Sequence, residues 1–251
     1  MATRSLLLAV MLLLAGCTTT QSGTPTESEK AARINTQLGI AYLRQDNLDQ
    51  ALDRLTKAVQ QDPGYAEAHA VLAVLHHRLG QHDDAGRHYR RSVALAPDDS
   101  ALRNNYGQFL CERGSIDEAE RHLKRAAANP LYRTPEIPLS NAGVCLLRAG
   151  REEVAESYFL EALRHNPSFA RALYAMAELR QRAGESLSAR GFYQRYLAVA
   201  PQTAESLWLG IQIERVLGDN DAVGSYGMLL KGKFPDSEET RRLIELEKQN
   251  G

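Results

Sequence analysis

The sequence predicts an all-α fold, a superhelical stack of helix–turn–helix units, from three observations. Glycines fall at Gly80, Gly114, Gly150, Gly184 and Gly218, at intervals of 34, 36, 34 and 34 residues. Prolines keep a second beat at Pro63, Pro97, Pro130, Pro167, Pro201 and Pro235, at intervals of 34, 33, 37, 34 and 34. Between the beats, apolar residues recur at spacings of three and four, the period of an amphipathic helix. A stack of this kind offers extended surfaces and no inherent reactive cleft, so the expected function is binding rather than catalysis.

At the N-terminus, residues 1–16 carry one basic residue, Arg4, followed by the ten-residue apolar run Leu6 to Ala15. That run is too short to span a bilayer and matches a signal-peptide core. It ends in Leu14-Ala15-Gly16-Cys17, which resembles the lipobox of bacterial lipoproteins. The resemblance implies that Cys17 becomes the first mature residue and is acylated on its thiol and its new amine. Several acyl chains on one residue anchor stably, where a single chain binds only marginally. Thr18 follows Cys17, so the aspartate that commonly retains such lipoproteins in the inner membrane is missing. The implied destination is the periplasmic face of the outer membrane. Residues 17–30, rich in Thr, Ser, Gly and Pro, read as a flexible tether. Loss of Arg4 leaves 29 of the 30 Lys+Arg against 31 Asp+Glu, a net charge near −2 that argues for no nucleic-acid partner.

Residues 31–235 hold six repeats. With Ala32 as the first position, Leu38, Gly39 and Tyr42 share one face of the first helix, and Ala51, Leu55 and Ala58 one face of the second. The eighth position is small (Gly39, Ala73, Gly107, Gly143, Ala177), as is the twentieth (Ala51, Ala85, Ala119, Ala155, Ala189). The twenty-fourth is large: Leu55, Tyr89, Leu123, Phe159, Tyr193. Small against large lets paired helices approach closely. The spaced glycines sit where a left-handed residue closes a helix, and the prolines where a helix must not continue. Repeat one places Asp46-Asn47 at its turn instead of glycine. Repeat six is degenerate, with Ile211 and Val223 at the small positions and Gly227 at the large one. The pattern is that of the tetratricopeptide family, whose repeats wind into a right-handed superhelix.

The stretch Asn129 to Pro138 is longer than the other connections and carries three prolines, which reads as a stiff elbow between repeats three and four. Residues 236–251 read as a capping helix with Ser237 as N-cap and Leu243, Ile244 and Leu246 apolar. Cys111 and Cys145 lie near the C-terminal ends of the first helices on either side of the elbow. A bridge between them is permitted in the periplasm and would stabilise by about 3–4 kcal/mol. Packed helix axes lie about 8–10 Å apart and bridged Cα atoms about 4.4–6.8 Å apart, so two buried thiols are the alternative.

His69, His76, His77, His82 and His88 crowd repeat two, but no pair has the i,i+4 spacing of two ligands on one helix face. They read as structural, with no metal and no cofactor expected. The basic clusters Arg87 to Arg91 and Arg121 to Arg125 read as solvated outer faces. No nucleophile elbow, phosphate loop or zinc-protease motif occurs, so no enzyme is expected.

Projection of the first helices onto the inner surface gives Thr36, Ile40, Leu43 and Arg44 from repeat one, and Ala70, Val71, Val74 and Arg78 from repeat two. Asn104, Asn105 and Gln108 follow from repeat three, Ser140, Asn141, Val144 and Leu147 from repeat four, and Tyr174, Glu178 and Arg182 from repeat five. An apolar floor with polar flanks suits an amphipathic helix or apolar peptide. The other reading is that Ile40, Leu43, Val71 and Val74 pack between repeats.

Several segments resemble the PilF/PilW family of type IV pilus biogenesis lipoproteins: Asn105 to Cys111, Asn129 to Tyr132, Asn141 to Cys145, and Ser206 to Arg215. That resemblance covers nearly the whole chain and includes both cysteines, which form a disulfide in the family. It implies a pilotin, carried by the lipoprotein sorting machinery to the outer membrane, where it helps secretin subunits localise and multimerise. A hypothesis of another class is a general periplasmic adaptor that recruits cell-wall enzymes.

Overall fold

The computed structural model describes residues 24–250, and the signal segment, Cys17 and most of the tether lie outside them. Among the described residues the chain forms thirteen α-helices. Repeat one pairs α1 (Glu27–Arg44) with α2 (Leu48–Gln61), and repeat two pairs α3 (Ala66–Arg78) with α4 (His82–Leu95). Repeat three pairs α5 (Ser100–Glu112) with α6 (Ile116–Ala127), and repeat four α7 (Glu136–Arg148) with α8 (Glu152–His165). Repeat five pairs α9 (Ala170–Arg182) with α10 (Ser186–Leu197), and repeat six α11 (Ala204–Leu217) with α12 (Asn220–Lys233). The last helix is α13 (Glu238–Asn250). First helices of successive repeats touch, α1 with α3, α3 with α5 and α5 with α7, so they form one row of the superhelical stack.

Local chemistry explains the helix ends. Gly80, Gly114, Gly150, Gly184 and Gly218 all have φ between +71° and +78°, which side chains with a Cβ rarely adopt. At Gly80 the turn closes with Gly80 N–H on the His77 carbonyl and Gln81 N–H on the His76 carbonyl, a Schellman pattern. Asp46 takes that role in repeat one at φ +59°. The first helix begins earlier than the tether's expected end at residue 30. Thr26 accepts from Glu29 N–H while the Glu29 carboxylate accepts from Thr26 N–H, a capping box that starts α1 at Glu27.

The size pattern governs the packing. A Cβ placed on Gly39, Gly107 or Gly143 would lie 2.6–2.7 Å from Leu55, Leu123 or Phe159, all of which are fully buried. Leu38, expected on the apolar stripe of the first helix, is instead 38% exposed and Ile34 57%. Their equivalents in repeat two, Ala68 and Leu72, are buried. These two positions pack toward a preceding repeat, and α1 has none among the described residues.

Asn129 builds the elbow. Its amide donates to the Asp98 carbonyl and the Ser100 hydroxyl, both at 3.0 Å, and its carbonyl accepts from Leu131 N–H. Pro135 then stands at the N-cap of α7 and Pro138 in its first turn, where the missing N–H leaves no bond unmade. Cys111 and Cys145 are joined by a disulfide with Cα atoms 5.6 Å apart. Facing Cα atoms lie closer together than their helix axes by about two helix radii, roughly 2.3 Å each, so the α5–α7 contact reaches bridging distance. At the C-terminus, Ser237 accepts from Thr240 N–H at 3.1 Å and starts α13.

Candidate protein-binding groove

The inner faces of α1, α3 and α5 enclose a groove of about 780 Å³. Ile40, Leu43, Val71 and Val74 form its half-buried floor with buried Ala70 and Leu102. These residues stay accessible because small eighth-position residues, Gly39 and Ala73, direct the packing against α2 and α4. Leu43 and Val71 touch the repeat-one core and also line the groove.

Charge is divided along the rim. Arg44 and Arg78 stand in the last turns of α1 and α3, whereas Glu67 and Asp99 stand at the starts of α3 and α5. Arg78 is held in place, donating to the Leu43 carbonyl at 3.0 Å and the Asp46 carboxylate at 2.6 Å. Asp99 accepts from Leu102 N–H at 3.0 Å as the N-cap of α5. Glu67 accepts from the Tyr65 hydroxyl, and burial together with that carboxylate pushes the Tyr65 pKa up to about 12.

Of the residues projected inward, Ile40, Leu43, Arg44, Ala70, Val71, Val74, Arg78 and Asn105 line this groove. Thr36 does not: it is 1% exposed, and its hydroxyl donates to the Ala32 carbonyl within its own helix. Asn141 is also withdrawn. Its amide donates to Asn104 at 2.8 Å and its carbonyl accepts from Arg171 at 2.7 Å, leaving it buried between repeats. Tyr174 packs its ring 5.4 Å from Tyr196, away from the groove. Leu147, Glu178 and Arg182 meet instead in a separate recess of about 550 Å³ with Gln181, Leu209 and Gln212. Burial raises the Glu178 carboxyl above its ordinary range.

Glu67, Asp99, Ala101 and Leu102 were not among the projected residues. The face that carries Ala70, Val71 and Val74, continued one turn back at spacing i−3, reaches Glu67, so the signal was present. Among the described residues, no group of three or more His, Cys, Asp or Glu side chains is placed to hold a metal ion. No described helix is long and apolar enough to cross a membrane.

Residues 36–100, 111–167 and 141–204 match the tetratricopeptide repeat family, and residues 76–130 match a second form of the same repeat. The type IV pilus assembly protein PilF of Pseudomonas aeruginosa is 34% identical over 228 residues, 89% of this chain and 90% of its own. Its solved structure superposes with a TM-score of 0.77, covering 88% of this chain and 99% of that one.

This chain belongs to the PilF family of tetratricopeptide repeat proteins.

The structure of PilW, a type IV pilus biogenesis factor, is similar at 32% identity and TM-score 0.75, covering 85% of this chain and 98% of that one. An uncharacterised protein of Haemophilus influenzae is 30% identical over 57% of this chain and 80% of its own. The repeat is a shared scaffold, as MamA proteins at 18% identity and TM-score 0.56 share only the fold. For PilF and PilW the likeness covers most of both chains.

Proposed function

We propose that this chain is a pilotin of the type IV pilus. Lipid on Cys17 holds it at the periplasmic face of the outer membrane, reached through the lipoprotein sorting machinery. The groove over repeats one to three binds secretin subunits and promotes their multimerisation. The observation that carries this reading is similarity to PilF along nearly the entire length of both chains. The groove adds a chemical requirement: an apolar segment, with an acidic group toward Arg44 and Arg78 and a basic one toward Glu67 and Asp99.

The test is the Leu43→Glu variant, which puts a carboxylate in the apolar floor. Secretin recovered with the protein from membranes should fall by about tenfold or more, the equivalent of 1.4 kcal/mol. Secretin multimers should fall with it while helical content stays unchanged. In the same cells, Cys17→Ala should release the protein from the membrane fraction. Unchanged multimers in both variants would sink the proposal. Recovery of cell-wall hydrolases or synthases in place of secretin would favour the adaptor.

A further inference from the structure

Five of the seven histidines stand in repeat two, and two of them, His69 and His76, pack their rings against that of a third, His88. His69 of α3 and His88 of α4 bring their Nδ1 atoms to 2.9 Å. His76, two turns along α3, stacks on His88 with centroids 5.4 Å apart and planes at 13°. Tautomers follow from the partners. His69 Nε2 faces the Pro63 carbonyl at 3.2 Å and must donate, so its Nδ1 is the acceptor and His88 Nδ1 the donor. One added proton can be shared across the Nδ1–Nδ1 contact, whereas protons on both His69 and His88 would set N–H against N–H.

The surroundings do little to compensate such a charge. Asp62 before α3 and Asp84 on α4 favour it, whereas Arg87 and Arg91 on α4 oppose it. His76 Nδ1 meets the neutral Gln81 side chain at 2.6 Å. Burial and the neighbouring rings push His88 down to about 4, and burial also lowers His69. The slot itself recurs at the same two positions in every repeat. Repeat one fills it with Asn35 and Arg54, repeat three with Arg103 and His122, and repeat four with Leu139 and Tyr158 in the core. Repeat two alone fills it with two histidines.

The helix α3 that carries His69 and His76 also carries Ala70, Val71, Val74 and Arg78 in the groove. We infer that repeat two is a pH-sensitive joint: acidification charges the His69–His88 pair on which His76 stacks, loosens α3 from α4 and so slackens the groove wall. The direction follows from linkage. Unfolded histidines protonate near pH 6.5, and burial holds folded His69 and His88 below that, so the opened form gains protons first. The closed form loses stability as pH falls from about 6.5 toward about 4, and is unaffected above that window.

Hydrogen exchange of the full protein at pH 7.5 and 5.0, corrected for intrinsic rates, tests this. Amides of α3 and α4 should lose about tenfold protection at pH 5.0, one pKa unit's worth, while the histidine-free α9 and α10 change little. His88→Gln should abolish the difference. So should the double variant His69→Leu, His88→Tyr, which carries the pair that packs in repeat four and serves if the first fails to fold. Equal loss in both repeats, no loss in α3 and α4, or a loss that persists in the double variant would overturn the inference.

Discussion

In repeat one, Gly39 yields space to Leu55, and the inner face of α1 is left open as groove, with Ile40 and Leu43 half-buried. In repeat six the sizes are exchanged. Ile211 is fully buried where the other repeats place a small residue, and Gly227 stands where they place a large one. Leu243 of α13 packs beside Gly227 and joins Ala204, Leu207, Ile211 and Leu230 in one core. The last repeat is further tied to repeat five by Arg190, whose guanidinium meets buried Glu214 through two nitrogens, with Asp219 at 3.6 Å. A terminal repeat can therefore close on a helix of its own or keep the regular pattern. The regular end keeps a groove with an apolar floor, whereas the closed end packs its core against α13.

The difference can be broken first at its closed end. Leu243→Ala should cost about 2–5 kcal/mol, the usual range for a buried leucine. Because contacts in a stack are between neighbours, the loss should appear as faster hydrogen exchange in α11 and α12 with α1 and α2 unchanged. A uniform effect along the chain would show that the two ends are not independent. Gly39→Ala comes next. Its Cβ would fall 2.6 Å from Leu55 Cγ, so urea unfolding should show a loss of about 1–3 kcal/mol. The smallest effect belongs to Gly227→Ala, whose Cβ meets Leu243 Cδ2 at 3.3 Å. The gain of about 1 kcal/mol from replacing a helical glycine offsets that contact, leaving a net change within about 1 kcal/mol. A loss as large as that of Gly39→Ala would erase the contrast between the ends.

Much of the fold was legible because its determinants are local. The 34-residue beat places turns, and spacings of three and four place faces, so the repeats and the groove floor could be read residue by residue. The start of α1 was legible too, since Thr26 and Glu29 spell a capping box inside the segment taken for tether. Other features depend on partners far away in the chain. Asn105 and Asn141 occupy the same repeat position, yet one faces the groove and the other is held by Asn104 and Arg171, 37 and 30 residues distant. No local pattern distinguishes them. The histidines of repeat two looked merely structural at their sequence spacing. Their ring contact joins residues 19 apart on two helices.

By itself, then, the sequence determined which segments are helices, where they stop and which stripe each one buries. Periodicity, capping and left-handed glycines act within a few residues and need no tertiary context. The tertiary structure decided what each repeat does with its inner face. It brought Cys111 and Cys145 to a bridging distance that spacing had left open. It withdrew Thr36 and Asn141 from the surface, exchanged large for small around Leu243, and stacked His69, His88 and His76. These outcomes depend on ångström-scale distances between side chains from different helices, which only packing sets.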